Sequence, residues 1–269
     1  MSLSRLKAVV FDWAGTVVDF GSLAPMGAFV DAFAAFDVAI SIDEARVPMG
    51  MAKRPHVAAL LAMPRIAAEW ERVHGHAPGE GDIDAVYEVF VPKNIAVAAD
   101  YADLIPGAAE TAAALRAQGL KIGSTTGYTR EIMARITPIA AAQGFVADAM
   151  ACTGDVPDGR PTPFLIWKVL TELQVYPPSA VVKVDDTEVG IAEGLNGGAW
   201  TVGVAVTGNV FGLSKADTEA LSPAEFAARR AAAADKLTAA GAHYVIDGVA
   251  DLLPVLAAIN GRLARGEMP

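Results

Sequence analysis

The sequence predicts an α/β fold, a doubly wound parallel sheet with an α-helical cap inserted after its first strand. Three observations carry that expectation. Short apolar runs alternate with helix-length segments, the runs look like strands buried on both faces, and about a hundred residues separate the first run from the second. Strands are expected at Lys7 to Phe11, Leu120 to Ser124, Ala180 to Val184, Ala199 to Val204 and His243 to Ile246. Parallel neighbours need crossover connections, and the helical segments between the runs supply them.

Two helices carry readable ends. Ala108 to Gln118 stops at Gly119, and the Ala-rich stretch Pro223 to Ala240 stops at Gly241, each glycine suited to the left-handed residue that closes a helix. The long insert exceeds any ordinary loop, so a folded unit is expected there. It places Met26, Phe29, Val30, Phe33 and Phe36 at helical spacing, with helical patterns near Lys53 to Leu61 and Ile83 to Ala98. The phenylalanine stripe reads as cap core or a subunit contact rather than a ligand box. The expected organisation is a catalytic core of residues 1–19 and 101–269, with residues 20–100 as the cap.

Composition narrows the function. The chain has 269 residues, enough for one large domain or two smaller ones. At 53% hydrophobic and 19% charged it is a globular composition rather than a disordered one. A formal net charge of -10 opposes binding to nucleic acid or anionic membrane surfaces. The longest uncharged stretch, Gly194 to Ser214, holds six glycines and reads as strand and loop, not a membrane span. No signal-peptide apolar region precedes Asp12, and the only cysteine, Cys152, has no internal disulfide partner. The expectation is a cytoplasmic protein, with Cys152 an apolar strand residue rather than a nucleophile.

The chemistry starts at Asp12, where the first strand ends in Phe11-Asp12-Trp13-Ala14-Gly15-Thr16. Ligands of doubly wound sheets bind at the carboxyl ends of the strands, so this acid enters the expected cleft. Read alone, it is also an ordinary turn former or helix cap. Three later segments strengthen it. Ile122-Gly123-Ser124-Thr125-Thr126-Gly127 is a strand ending in hydroxyls and glycine, suited to gripping a phosphoryl oxygen. Arg160-Pro161 is read as opening a helix and offering a fixed cation. Val181 to Asp186 is a strand delivering the adjacent carboxylates Asp185 and Asp186, a hard-oxygen pair suited to magnesium.

In order and spacing, these elements resemble the four motifs of the haloacid dehalogenase superfamily, over most of the chain. The resemblance implies that Asp12 attacks phosphorus and becomes an aspartyl-phosphate. Position 14 departs from the phosphatases of that superfamily, which carry there a second Asp that protonates the leaving alcohol; here it is Ala14. The leaving group is then one that such an acid could not help.

The cap offers a second peculiarity in Val47-Pro48-Met49-Gly50-Met51-Ala52-Lys53-Arg54-Pro55-His56. At an unperturbed pKa of about 10.4, roughly one lysine in 2,500 is neutral at pH 7, and each unit of depression multiplies that tenfold. Desolvation under a closing cap would depress it, and Arg54 would add to the effect if it also faced the cleft. A neutral Lys53 condenses with an aldehyde to an imine, an electron sink that lets a carbon-phosphorus bond break without an acid at position 14.

With Ala14, Lys53, the GSTTGYT run from Gly123 to Thr129, Gly159 to Pro163 and Lys183 to Gly190, the sequence resembles the phosphonatase branch of that superfamily over nearly its full length. The resemblance implies a magnesium-dependent homodimer that hydrolyses the carbon-phosphorus bond of a small phosphonate, phosphonoacetaldehyde, to acetaldehyde and phosphate. It implies Asp12 as nucleophile and metal ligand, the Ala14 carbonyl and Asp186 as further ligands, and Lys53 as the imine-forming amine. It also implies Thr126, Gly127 and Arg160 around the phosphoryl group, and His56 as a proton shuttle with Tyr128 and Met49 nearby. Some members carry a second acid four residues after Asp186, where this chain has Gly190; Asp185 is the candidate replacement, directly or through water.

Two other readings stay open: a phosphatase or phosphoglucomutase-like enzyme tolerating Ala14, and a non-catalytic phospholigand-binding module. His74 and His76 lack a third zinc ligand and read as an exposed cap loop. The Gly-rich Thr207 to Gly212 reads as a plain loop bordering the cleft.

Overall fold

The computed structural model describes residues 3–269. Six strands form one parallel sheet: β1 (Ala8–Phe11), β2 (Lys121–Thr129), β3 (Ala149–Thr153), β4 (Val181–Asp185), β5 (Trp200–Val204) and β6 (Tyr244–Ile246), in the order β3-β2-β1-β4-β5-β6. The connections run outward from β1 first to β2 and β3, then return to β4 on its other side. The order of strand addition therefore reverses between β1 and β4, the place where doubly wound sheets open a crevice.

Between β1 and β2 lie α1 (Ala24–Ala34), α2 (Ile42–Arg46), α3 (Lys53–Leu61), α4 (Pro64–His74), α5 (Glu80–Ala98) and α6 (Ala108–Ala117). The remaining helices are α7 (Arg130–Ala142), α8 (Phe164–Leu173), α9 (Glu188–Asn196), α10 (Lys215–Glu219), α11 (Pro223–Ala239) and α12 (Leu252–Ala264). The first five helices bury an apolar cluster of their own. Met26, Phe29 and Phe33 of α1 meet Val57 and Leu60 of α3, Trp70 of α4 and Phe90 of α5. A separate cluster joins one face of the sheet to α7 and α12, while α8 covers Val10 and Val181 on the other face.

Several sequence expectations need correction. The strand β3 is absent from the expected set although Cys152 is read as a strand residue, because Ala149-Met150-Ala151-Cys152-Thr153 has a single β-branched residue to mark its extent; Cys152 lies in it, buried. The second strand does not end at Ser124 but continues to Thr129, with an irregular register against β3 between Thr126 and Thr129. Arg160 and Pro161 open no helix: α8 begins at Phe164, after a loop carrying Pro161 and Pro163. His74 is no exposed loop residue, since it ends α4 half-buried, ring to ring with Trp70 at 4.3 Å and bonded to the Phe36 carbonyl.

The two terminal glycines sit where the pattern put them. α6 ends one residue before Gln118 and α11 one residue before Ala240, and Gly119 and Gly241 follow with φ of 77° and 96°.

Phe33 lies wholly buried in the cluster of the inserted helices. Phe33→Ala should cost about 3 to 5 kcal/mol, read as a lower midpoint in urea unfolding; an unchanged midpoint would show that these helices contribute nothing to cooperative stability.

Candidate active site

Strand register alone brings the acids together. Phe11 pairs with Ser124 on one side and Val184 on the other. One residue further on, Asp12 stands level with Thr125 and Asp185, and parallel strands in register present level side chains to the same face. Lys183, two residues before Asp185, shares that face. Asp186 follows where the strand stops.

The result is a buried charge cluster. The Arg160 guanidinium stands 2.8 Å from Asp12 Oδ1, 3.4 Å from Asp185 Oδ2 and 2.9 Å from Glu193 Oε2, and it donates to the Thr125 carbonyl at 2.6 Å. The Lys183 ammonium lies 3.0 Å from Asp185 Oδ2 and 3.3 Å from Glu193 Oε2 and donates to Thr125 Oγ1 at 2.6 Å. Thr125 Oγ1 in turn donates to Glu193 at 2.8 Å. Sequence reasoning missed Thr125, Lys183 and Glu193. A charged residue inside an otherwise apolar strand was the available signal for Lys183; Glu193, on a helix, had none.

Four carboxylates, Asp12, Asp185, Asp186 and Glu193, thus share this region with two basic side chains, Arg160 and Lys183. Burial, reinforced by Asp185, lifts Asp12 to about 6, and burial with Asp12 and Asp185 lifts Asp186 well above the ordinary carboxylate range. Burial also opposes ionisation of Asp185, but Arg160 and Lys183 outweigh it and hold that acid below its usual value. The imbalance is what a bound divalent cation would correct. One oxygen each from Asp12, Asp185 and Asp186 lies within 4.8 Å of the others, and the buried Asp186 Oδ1 has no hydrogen-bond partner. Hard oxygen donors with an unsatisfied lone pair fit an oxygen-seeking dication.

Gly190 is explained by the same cluster. A Cβ there would overlap Cγ, Oδ1 and Oδ2 of Asp185, so the Asp185 carboxylate already fills the space beside position 190. It is fixed there by Thr187, whose N–H and hydroxyl donate to Oδ1 at 3.0 and 2.7 Å.

Across from the acids lies the inserted unit. A small cavity is lined by Asp12, Ala14, Thr126, Gly127, Tyr128, Arg160 and Asp186 from the core side, and by Met49, Gly50 and Lys53 from the insert. Ser22 and Thr187, which the sequence reading did not single out, also line it. The two sides meet backbone to backbone: a Cβ on Gly127 would stand 2.8 Å from the Met51 carbonyl oxygen.

Lys53 is only 4% exposed. Its amine is 3.9 Å from Met49 Sδ and over the rings of Tyr128 and Phe29, at 5.0 and 5.7 Å. Burial pushes its pKa down to about 8, against the pull of Asp12. The depression does not come from Arg54, which faces outward and pairs with Glu80 and Asp84. At about 8, roughly one amine in ten is neutral at pH 7, over a hundredfold more than for an ordinary lysine.

His56 lies behind Lys53 rather than on the cavity wall. Its ring stacks on Phe29 at 4.0 Å, Nε2 bonds the Ala45 carbonyl at 2.9 Å, and Nδ1 is buried without a partner. Bonded so, Nε2 carries the hydrogen and Nδ1 keeps a free lone pair. Burial and the nearby Lys53 hold it neutral, well below the usual histidine range. Tyr128 is likewise neutral, its phenol pushed well above its ordinary value by burial and by Asp19.

A sequence model of the haloacid dehalogenase-like hydrolases matches residues 6–198. A Paraburkholderia phytofirmans protein named phosphonoacetaldehyde hydrolase is 66% identical over 99% of this chain and its own full length. A Klebsiella pneumoniae protein of the same name is 49% identical, again over 99% of this chain and all of that one. Among solved structures, a phosphonoacetaldehyde hydrolase-like protein from Oleispira antarctica superposes with a TM-score of 0.97 at 43% identity, covering 100% of this chain and 98% of its own.

The Gly190 geometry sets a test. Gly190→Ala should force the Asp185 carboxylate off Thr187, Arg160 and Lys183 and cost about 3 kcal/mol, in the range for breaking a buried ion pair. Denaturant unfolding reads this directly, and wild-type stability in the variant would mean that the carboxylate is free to move.

Proposed function

This chain belongs to the haloacid dehalogenase-like hydrolases and, within them, to the phosphonoacetaldehyde hydrolase family, and from that membership we propose how its own residues carry the reaction. The enzyme hydrolyses the carbon-phosphorus bond of phosphonoacetaldehyde, giving acetaldehyde and phosphate. The observation that carries the mechanism is a desolvated amine, Lys53, in the same small cavity as a strand-end carboxylate, Asp12.

The residues 20–100 act as the cap, and the arrangement described is its closed form. The neutral Lys53 amine adds to the aldehyde and expels water, leaving an imine that is protonated at nitrogen. Asp12 then attacks phosphorus. The carbon-phosphorus electron pair moves into the iminium, so the leaving group is a neutral enamine rather than a carbanion, and no acid is required at Ala14. The enamine takes a proton at carbon, water releases acetaldehyde from Lys53, and a second water cleaves the aspartyl-phosphate to phosphate. The unpartnered Nδ1 of His56, one turn from Lys53, supports a role in moving the protons of imine formation and breakdown.

Thr126, Gly127 and Arg160 hold the phosphoryl oxygens, where preorganised donors act in a site closed to water. Met49 and Tyr128 enclose the amine and keep it desolvated. Magnesium is the dication this reading places among Asp12, Asp186, the Ala14 carbonyl and Asp185; when bound it supplies positive charge against the transferring phosphoryl group. The reading includes a homodimer and a cytoplasmic setting. Among the described residues no helix is long and apolar enough to cross a membrane.

A phosphatase or phosphoglucomutase-like reading would require an acid where Ala14 stands, and a purely binding module has no use for a buried amine facing a carboxylate.

Two measurements test the mechanism. Borohydride added with phosphonoacetaldehyde should fix label on Lys53 and none on Lys53→Arg; label that persists in the variant would remove Lys53 from the reaction. Both reacting groups must be deprotonated, so activity is lost as pH falls. The acid limb of kcat/KM should climb about tenfold per unit from pH 6 to pH 8, where Lys53 titrates, and level off above. A flat profile over that interval would contradict a depressed lysine as the nucleophile.

A further inference from the structure

The Gly-rich loop Thr207 to Gly212, which reads in the sequence as a plain connection, is bonded to each part of the site that must move together. Its Asn209 N–H donates to Asp186 Oδ2 at 2.7 Å. Thr207 Oγ1 donates to the carbonyl of Gly15, in the turn that follows Asp12, at 2.8 Å, and the Thr207 carbonyl accepts from Gly21 N–H at 2.8 Å. The loop also packs tightly under the acid, since a Cβ on Gly208 would come 2.5 Å from Asp186 Cβ.

On the cap side, one side chain answers this loop. Arg46 ends α2 and reaches across the seam. Its Nη1 donates to the Gly21 carbonyl at 2.8 Å and to Asn209 Oδ1 at 3.1 Å, with longer contacts of 3.4 Å to the Ser22 and Asn209 carbonyls; its Nη2 donates to the Gly212 carbonyl at 2.9 Å. Asn209 Nδ2 returns a bond to the Arg46 carbonyl at 3.3 Å. Gly21 and Ser22 belong to the linker by which the chain enters the cap. That linker is wound tightly, with φ of 58° at Asp19 and 53° at Ser22, a region side-chain-bearing residues seldom adopt. The guanidinium thus ties the cap, its entry linker and the core loop into one hydrogen-bonded unit, and the same asparagine that receives it orients Asp186.

We infer that Arg46 and Asn209 are positioning residues: they latch the cap closed and, through the Asn209 backbone, couple closure to the placement of the Asp186 carboxylate. Neither touches the cavity in which the reaction occurs. The planar five-donor fork of arginine spans carbonyls on two chain segments at once, which the point charge of a lysine cannot do. This rests on the function proposed above, and turnover of phosphonoacetaldehyde by the wild-type enzyme checks that function separately from the latch.

The test is a mutant cycle on the full-length enzyme with three readouts: kcat and KM for phosphonoacetaldehyde, and the magnesium concentration giving half of the metal-dependent rise in Tm. Arg46→Ala should lower kcat/KM at least tenfold and raise the magnesium midpoint severalfold, and added guanidinium should recover part of the loss. Arg46→Lys should behave like the alanine variant. Asn209→Ala should lower kcat/KM severalfold, and the double variant should be no worse than Arg46→Ala within about threefold, because one contact is removed twice. If Arg46→Ala does not fold, Asn209→Ala alone decides, since it removes the receiving side chain and leaves the cap intact. Losses that multiply in the double variant, or a magnesium midpoint that stays put while kcat/KM falls, would overturn the coupling; wild-type values in Arg46→Ala or Asn209→Ala would overturn the latch itself.

Discussion

The molecule is organised around an electrostatic imbalance that its sheet creates. A parallel register between β1, β2 and β4 sets Asp12, Thr125 and Asp185 side by side, and Asp186 follows in the next peptide. Carboxylates so close cannot all ionise in a dry site without compensation. Arg160 and Lys183 compensate part of the charge, and Glu193 and Thr125 hold those two cations in place. What is left over is negative charge on oxygen beside an unsatisfied Asp186 atom. Removing any one partner of such a network exposes the others to an uncompensated buried charge, which is why its members act as a unit rather than as separable contacts.

The opposite wall is built on the contrary electrostatic principle. Lys53 is a cation brought into an apolar enclosure of Met49, Phe29 and Tyr128, with no carboxylate bonded to it. Its shift to about 8 corresponds to a cost of about 3 kcal/mol for keeping the ammonium form there. Contacts across the seam must offset that cost. The backbone approach of Gly50 and Met51 to Gly127 and the bonds of Arg46 to the 207–212 loop are polar contacts of the right kind. In the mechanism proposed above, the same enclosure that desolvates the amine also dries the carboxylate meant to receive phosphorus.

Much of this was legible in the chain. The acids at strand ends, the departure at Ala14, the lysine in a Met-lined segment and the hydroxyl-rich end of β2 are local patterns, and together, in order, they point to a cleft that none of them marks alone. The unread parts are those where one residue type has two ordinary explanations. Lys183 could be an edge charge until β4 is known to be central. His56 reads as a cavity residue by its spacing from Lys53, yet its ring turns into the packing of α1 and α5 against Phe29. Arg54, beside Lys53 in sequence, points the other way to Glu80 and Asp84. Helical neighbours differ by about a hundred degrees in direction, so adjacency in the chain says little about which side chain enters the site.

By itself the sequence determined the fold class, the order of its motifs and the family, because these depend on residue type and spacing along single strands and helices. Only the tertiary structure decided that Asp185 occupies the space a side chain at Gly190 would need, that Glu193 and Lys183 belong to the site, and that Arg46 meets Asn209 across the seam. Those facts concern distances between segments up to 163 residues apart. They are settled by register, burial and desolvation once the sheet has formed, and beyond the lone charge inside the β4 run no local pattern in the chain hints at them.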